Sequence, residues 1–182
     1  FFASDNALRE LLYWSGFGLM VVDAIQGIHP GSLAEEVALD PEIVIREAST
    51  DDLDELARLD NELVTYLSRS PTFLRAQLDQ DTAQAFLGED VISVVAERDG
   101  RLLACIRGTS EKEDGCTIVR DASVMGIDFG YTEPGVRRAG IARQILAEIL
   151  TWGREQGKAG CAVDFESANA LGRAFWLNHF RA

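Results

Sequence analysis

Six residues at the start of a strongly periodic helix have the types and the spacing of an anion-binding turn. This anion cradle consists of Arg137, Arg138, Ala139, Gly140, Ile141 and Ala142. The N–H groups at the start of a helix have no partner inside the helix, and the helix dipole adds partial positive charge there. The two arginines add full charges, and the small residues would let a ligand approach the backbone. The run therefore predicts a site for a phosphate or a pyrophosphate.

Three kinds of phosphate-binding turn can be compared with the anion cradle. A P-loop requires Lys followed by Ser or Thr after its second glycine, and this run has neither. A dinucleotide-binding turn requires a third small residue, but Ala142 is followed by Arg143. The third pattern is (Gln/Arg)-x-x-Gly-x-(Gly/Ala), and its fixed places are filled by Arg137, Gly140 and Ala142. An ordinary helix start with exposed arginines is the alternative interpretation.

The segments around the anion cradle alternate between strand and helix patterns. Pro134 and Gly135 end the strand before it, and Asp99-Gly100 predicts a hairpin turn between two earlier strands. Apolar periodicity predicts the order β-α-α-β-β-β-α-β-α. The predicted strands lie at 43–48, 91–97, 102–109, 124–131 and 162–165, and residues 116–119 are also strand-like. The predicted helices lie at 53–67, from 71 onward, at 141–156 and at 169–178, with a short further helix at 81–87.

The anion cradle and the order of elements resemble those of the GNAT superfamily of acyl-CoA N-acyltransferases. In that family the (Gln/Arg)-x-x-Gly-x-(Gly/Ala) pattern forms the loop that binds the pyrophosphate of coenzyme A. The segment from Asn169 to Phe180 is similar to the family's last shared helix, which packs against the pantetheine arm. The resemblance covers residues 43–181. It implies an α/β fold of the GNAT type, with a central mixed β-sheet flanked by helices, and substrate specificity carried by the helices before residue 91.

The resemblance also implies the reaction and its co-substrate. Acetyl-CoA would be the acyl donor without a metal, and a primary amine of a small molecule or a peptide would attack the thioester directly. A backbone N–H near residues 131–133 would polarise the carbonyl. The residues that would bind coenzyme A are Tyr131, Thr132, Arg137, Arg138, Ala139, Gly140, Ile141, Ala142, Asn169, Phe175 and Trp176.

Four carboxylates are candidates for the base that takes a proton from the acceptor's ammonium group. They are Asp128, Glu133, Asp164 and Glu166, and we predict Asp128 and Glu133 as the catalytic residues. Asp128 lies inside an apolar strand, where burial would make a carboxylate a better proton acceptor. For each of the four, a solvated or salt-bridged acid is the alternative interpretation.

Two positions depart from the family pattern. Trp176 stands where many members have a Tyr that acts as general acid toward the departing thiolate, and an indole cannot donate a proton for that purpose. His179 stands where a Gly precedes the closing Phe. An active N-acetyltransferase is the first functional hypothesis. The alternative is a non-catalytic acyl-CoA-binding module, or the structural half of a tandem GNAT protein.

The net charge and the numbers of cysteine and histidine residues limit which kinds of molecule the protein is expected to bind. The 182 residues carry a formal net charge of −13. Such a charge repels nucleic acid and anionic membranes and would attract a cationic acceptor, or it serves only to keep the protein soluble. The cysteines are odd in number and widely spaced, which indicates reduced core thiols of a cytoplasmic protein. The two histidines, His29 and His179, are isolated, so the sequence predicts no histidine-based metal cluster.

The amino-terminal residues repeat a segment near the carboxyl terminus. Residues 2–18 align without gaps with residues 165–181, and six of the seventeen pairs are identical. We predict that residues 1–28 are the tail, a helix plus a strand, of a preceding GNAT-like half, that 29–42 are a linker, and that 43–182 are a GNAT domain without its last strand. Chance similarity between two amphipathic helices is the alternative.

The repeat has a structural consequence that can be checked. Residues 19–25 form an apolar run that follows the repeat of the last helix. Because an open sheet edge is a liability in solution, this run should form a strand in the sheet of the second half. The pairing would occur within one chain, between the two halves, or between two chains of a homodimer.

Overall fold

A six-stranded sheet is the centre of the molecule, whose computed structural model describes residues 5–29, 38–70, 84–110, 119 and 121–182. The strands are β1 (Val21–Gly27), β2 (Val44–Glu47), β3 (Val91–Arg98), β4 (Arg101–Thr109), β5 (Val124–Thr132) and β6 (Gly160–Glu166). Their order across the sheet is β1-β6-β5-β4-β3-β2. The β5–β6 pair is parallel and the other four pairs are antiparallel. The predicted α/β fold with a central mixed sheet is confirmed.

Four helices accompany the sheet. They are α1 (Asn6–Trp14), α2 (Leu53–Leu67), α3 (Ile141–Glu155) and α4 (Ala170–His179). Helices α3 and α4 bury side chains in one core cluster, and α2 buries side chains in a second cluster that contains other residues of the same strands. No helix in the described ranges is long and apolar enough to cross a membrane.

The predicted helices and strands agree with the structure where the structure describes them, except that Val119, predicted as the end of a strand-like run, is not in a strand. Strand and helix ends differ from the predicted ends by no more than two residues. Asp99 and Gly100 form the predicted hairpin turn and both have positive φ, 54° and 77°, as a two-residue turn of this kind requires. The predicted helix at residue 71, the start of the helix at 81–87 and the strand-like residues 116–118 lie outside the described residues.

Helix α3 is held by an apolar stripe at helical spacing. Ile141, Ile145 and Ile149 recur every four residues and are all fully buried against the sheet. Burying a side chain of this size contributes roughly 1.5–3 kcal/mol. On the opposite face, Leu56 and Leu59 of α2 are equally buried. The central strands are therefore covered on both faces, which explains why their buried residues run on without alternation.

Strand β1 fills an edge position of the sheet. It pairs with β6 in antiparallel fashion from Val21 opposite Glu166 to Gly27 opposite Gly160. Ala24 in its middle is 2% exposed and belongs to the core cluster under α3. The prediction that the apolar run at 19–25 forms a strand of this sheet is thus confirmed. Its origin in a preceding GNAT-like half stays a prediction.

Helix α1 differs from its sequence repeat in burial. Trp176 and Phe180 in and after α4 are 7% and 3% exposed, whereas the residues aligned with them, Tyr13 and Phe17, are 47% and 64% exposed. Among the described residues, α1 buries no side chain. The two copies of the repeat therefore share a helical conformation but not an environment.

Strands β5 and β6 part before they end. Their parallel ladder stops at the pair Ile127–Val163, whereas the strands themselves continue to Thr132 and Glu166. Strand β5 stays paired with β4 beyond that point. We call the resulting gap, between residues 128–132 of β5 and 164–166 of β6, the splay.

Because one face of β1 is buried in the core, a charged side chain introduced on that face should destabilise the fold. Ala24→Asp should destabilise the fold by roughly 3 kcal/mol or more, because the carboxylate would be buried without a partner. Ile25→Asp is the matched control. Its side chain lies on the other face and is 42% exposed, so the loss should be about 1 kcal/mol or less. Urea denaturation measures both changes, and equal losses would contradict the burial of β1 described above.

Candidate functional site

A cleft of about 730 Å³ opens beside the splay and the start of α3. Its walls come from the end of β5, the anion cradle and α4, with Leu63 and Tyr66 of α2 at one side. Of the eleven residues predicted to bind coenzyme A, Ala139 does not line the cleft. The other ten do: Tyr131, Thr132, Arg137, Arg138, Gly140, Ile141, Ala142, Asn169, Phe175 and Trp176.

The backbone of the anion cradle takes two left-handed conformations. Arg138 and Gly140 have φ values of 65° and 83°. Gly140 is the N-cap of α3, and no side chain caps the helix there. The first turn of α3 therefore presents its N–H groups at a cleft wall without the usual Ser, Thr, Asp or Asn oxygen. This is the arrangement that a helix start needs in order to bind a phosphate group.

Arg137 ties the anion cradle to the end of β5. Its Nε donates a 2.8 Å hydrogen bond to the carbonyl oxygen of Thr132. Its guanidinium carbon lies 5.6 and 5.7 Å from the ring centroids of Tyr131 and Tyr66, at cation–π distance. Arg137 thus holds the turn in shape and also leaves a positive charge at the cleft.

Two more arginines, Arg138 and Arg143, line the same cleft. The chain as a whole carries a net charge of −13, so a wall with three cationic side chains is a local reversal of sign. Such a reversal favours binding of a polyanion at this place and raises its local concentration. The chemistry of the cleft wall is therefore complementary to phosphate groups.

Gly130 makes room for the indole of Trp176. A Cβ added at residue 130 would lie 2.9 Å from Cζ2 of Trp176, closer than such atoms approach each other. The indole also makes edge contacts with Phe175 and Phe180, at ring-centroid distances of 4.9 and 5.7 Å. Trp176 is thus a rigid apolar wall of the cleft, and its indole N–H is too weak an acid to protonate a leaving thiolate.

His179 is a cleft residue whose role the sequence did not reveal. It stood out only because it replaces a glycine in the family pattern, and the structure places it in the cleft wall, half-buried beside Phe175. Burial lowers the pKa of its imidazole, and the charge of Arg143 lowers it further. The ring is therefore predominantly neutral at pH 7, with one nitrogen able to donate and the other able to accept.

The two predicted catalytic carboxylates are both held by arginines. Arg107 donates from Nε and Nη2 to the two oxygens of Asp128, at 2.7 and 2.8 Å. Glu133 accepts hydrogen bonds from Arg58 and Arg101 at 2.7 and 2.8 Å. Neither carboxylate lines the cleft. Their role as bases stays a prediction, and the contacts seen are those of the salt-bridged alternative.

The remaining titratable groups fall into two kinds. Burial raises the pKa of the thiols of Cys105 and Cys161, which are therefore protonated at neutral pH. Burial also raises the pKa of Asp164 on β6 to about 6, and the charges of Asp23 and Glu166 raise it further. Within the described residues, no group of three or more His, Cys, Asp or Glu side chains could hold a metal ion.

Several solved structures are similar to this chain. An aminoglycoside N-acetyltransferase in complex with coenzyme A has a TM-score of 0.59 at 18% identity, over 75% of this chain and 89% of its own. A predicted acetyltransferase from Clostridium acetobutylicum, solved with acetyl-CoA, has a TM-score of 0.60 at 17% identity, over 75% and 88%. At these identities the likeness shows the fold.

A third similar structure covers more of this chain. A conserved protein of unknown function from Staphylococcus epidermidis has a TM-score of 0.56 at 13% identity, over 97% of this chain and 64% of its own. No curated protein matches this sequence. A family model described as the acetyltransferase (GNAT) family matches residues 53–179, well over half of the sequence. The chain therefore belongs to the acetyltransferase (GNAT) family.

Proposed function

We propose that this protein transfers an acetyl group from acetyl-CoA to a primary amine of a small molecule or a peptide by direct attack. The observation that carries the proposal is the cleft, which joins an uncapped, arginine-rich helix start to a gap in the sheet. Two similar structures contain coenzyme A or acetyl-CoA, and one of them is an aminoglycoside N-acetyltransferase. The family to which the chain belongs supports the same reaction class.

The residues present fit coenzyme A. The N–H groups of the anion cradle, with Arg138 and Arg143, would hold the pyrophosphate. Gly140 has no side chain to block the approach to the backbone, and a larger residue there would be strained at its φ of 83°. Bound in this way, acetyl-CoA would supply the thioester that an amine attacks. The apolar wall around Trp176 would keep water from that bond.

The end of β5 provides the groups that would polarise the thioester carbonyl. Glu133 N–H is already used, because it donates to the carbonyl oxygen of Leu103 at 2.9 Å. Since successive backbone groups of a strand alternate in direction, the N–H groups of Gly130 and Thr132 point the other way, toward the splay. Donors fixed at the place where negative charge develops stabilise a tetrahedral transition state.

A non-catalytic acyl-CoA-binding module is the second candidate function. The observation that favours it is Trp176, which is buried where a proton-donating tyrosine was expected. The two candidates share the binding of coenzyme A and differ in turnover. A thiolate of moderate pKa can also leave without a proton donor, so the tryptophan does not exclude catalysis.

The anion cradle can be tested by filling it. Gly140→Glu should weaken the binding of coenzyme A about 100-fold or more, because a carboxylate would occupy and repel the pyrophosphate site. Ala142→Glu should do the same without straining the backbone, since residue 142 lies in the helix. Isothermal titration calorimetry measures both. Gly135→Glu is the control, because Gly135 is exposed and a Cβ added there would have no atom within 4 Å. Equal affinity in all three variants would contradict the assignment.

Turnover separates the two candidate functions. Acetyl-CoA is offered together with a panel of amines, polyamines, amino acids and aminoglycosides, and the release of free thiol is recorded. An acetyltransferase should release one thiol for each acetylated amine, with the acetylated product seen by mass spectrometry. Binding of coenzyme A without thiol release for any amine would support the binding module instead.

A further inference from the structure

His179 lines the cleft, and neither of its ring nitrogens has a hydrogen-bond partner among the described residues. It lies in the last turn of α4 and is half-buried. Its ring makes an edge contact with the ring of Phe175, one turn earlier, at a centroid distance of 5.0 Å and an interplanar angle of 63°. An apolar neighbour thus fixes the imidazole, while its polar nitrogens are left to solvent or to a ligand in the cleft.

The charged side chains of the described chain that line the cleft with this imidazole are all cationic. They are Arg137, Arg138 and Arg143, and no Asp or Glu among the described residues lines the cleft. The last turn of a helix favours a positive charge, but burial and the charge of Arg143 lower the pKa of the ring. The imidazolium form is therefore disfavoured as long as no anion offsets these two effects.

The position of His179 relates it to the start of α3. Arg143, whose charge acts on the imidazole, belongs to the first turn of α3, which follows the cap residue Gly140. Trp176, by contrast, is the residue of α4 that packs against Gly130 at the splay. A phosphate group bound at the start of α3 would therefore act on both Arg143 and His179, and its negative charge would favour the imidazolium.

We propose that His179 is a further phosphate-binding residue of the cleft, which takes up a proton when coenzyme A binds and then holds one of its phosphate groups together with Arg143. This inference rests on the proposed binding of coenzyme A. The proton comes from the solvent and forms an N–H bond on the ring, and no other covalent bond changes. The family pattern has a glycine at this position, so the contact would be a property of this chain.

The proposal predicts a pH dependence with a definite sign. In the free protein the pKa of His179 is lowered, and in the complex the phosphate charge raises it again. Between these two pKa values, binding of coenzyme A takes up protons. The affinity for coenzyme A through this contact therefore increases as the pH falls through that range and decreases as the pH rises.

NMR can measure the protonation of His179 without any turnover. The chain has only two histidines, so the imidazole spectrum contains two sets of signals, and His29→Gln assigns them. His29 does not line the cleft, and its Nδ1 lies 3.2 Å from the carbonyl oxygen of Gly27. Saturating coenzyme A should raise the pKa of His179 and leave that of His29 in place. An unchanged or lower pKa of His179 in the complex would overturn the proposal.

Calorimetry measures what the contact contributes to affinity. His179→Gln keeps a polar side chain but cannot take up a proton, so it should bind coenzyme A about tenfold more weakly than the wild type at pH 6. At pH 8.5 the difference should shrink to about twofold or less, because the wild-type ring is then neutral. The ratio of variant to wild type cancels the ionisation of coenzyme A itself. His29→Gln is the matched control and should bind like the wild type at both pH values.

Dephospho-coenzyme A shows which phosphate group is held. It lacks the 3′-phosphate and keeps the pyrophosphate. The same pH-dependent loss in His179→Gln with both ligands would assign the contact to the pyrophosphate. A loss with coenzyme A alone would assign it to the 3′-phosphate, and no loss with either ligand at pH 6 would overturn the proposal.

The outcomes separate this inference from the proposed function. If the wild type binds no coenzyme A at either pH, the proposed function and this inference fail together. If the wild type binds coenzyme A and His179→Gln binds it equally well at both pH values, only this inference fails. Equal affinity together with a lower kcat in His179→Gln would instead indicate that His179 acts on the reacting groups, and would also overturn the proposal.

Discussion

The site depends on the point at which two parallel strands stop pairing. Beyond the pair Ile127–Val163, β5 continues beside β4 but no longer bonds to β6. Backbone groups in the middle of a sheet are normally all used by neighbouring strands. At the splay, some of them become available to a ligand without any loop having to enter the core. The cleft beside the start of α3 takes its position from this one interruption.

The surrounding packing keeps the interruption in place. The buried stripe of α3 fixes the helix start below the cleft, and the fit of Trp176 over Gly130 fixes α4 beside it. Arg58 adds a polar anchor, because it binds Glu133 at the end of β5 and the carbonyl oxygen of Leu102 on β4. The side chains of Arg58 and Glu133 are only 23% and 15% exposed, so the cost of removing both charges from water offsets much of their attraction. The apolar contacts, at roughly 1.5–3 kcal/mol for each large buried side chain, therefore supply most of the rigidity.

Local patterns in the sequence were sufficient to predict the helices and strands and the anion cradle. The spacing of Ile141, Ile145 and Ile149 and the small residues of the turn are features of consecutive residues, and they predict a helix start wherever they occur. The apolar run before the linker was also predicted as a strand, because the repeat placed it after a copy of α4. These predictions needed no knowledge of which strands are neighbours.

The partners of the carboxylates could not be predicted in the same way. Arg107 meets Asp128 because the β4–β5 register shifts at Arg107, and a bulge of this kind is not visible in the composition of either strand. Asp164 meets Asp23 because β1, about 140 residues earlier, pairs with β6 in one particular register. Long-range register thus decided which acid is neutralised by an arginine and which is surrounded by like charges.

The most direct test of the account is to locate bound coenzyme A on the protein by NMR. In a titration of uniformly 15N-labelled protein, the backbone amide signals of residues 138–142, together with Gly130 and Thr132, should shift the most. The amide signals of α1 and β2, none of whose residues lines the cleft, should not shift. Shifts confined to another surface, with the amides of the anion cradle unchanged at saturation, would contradict the account.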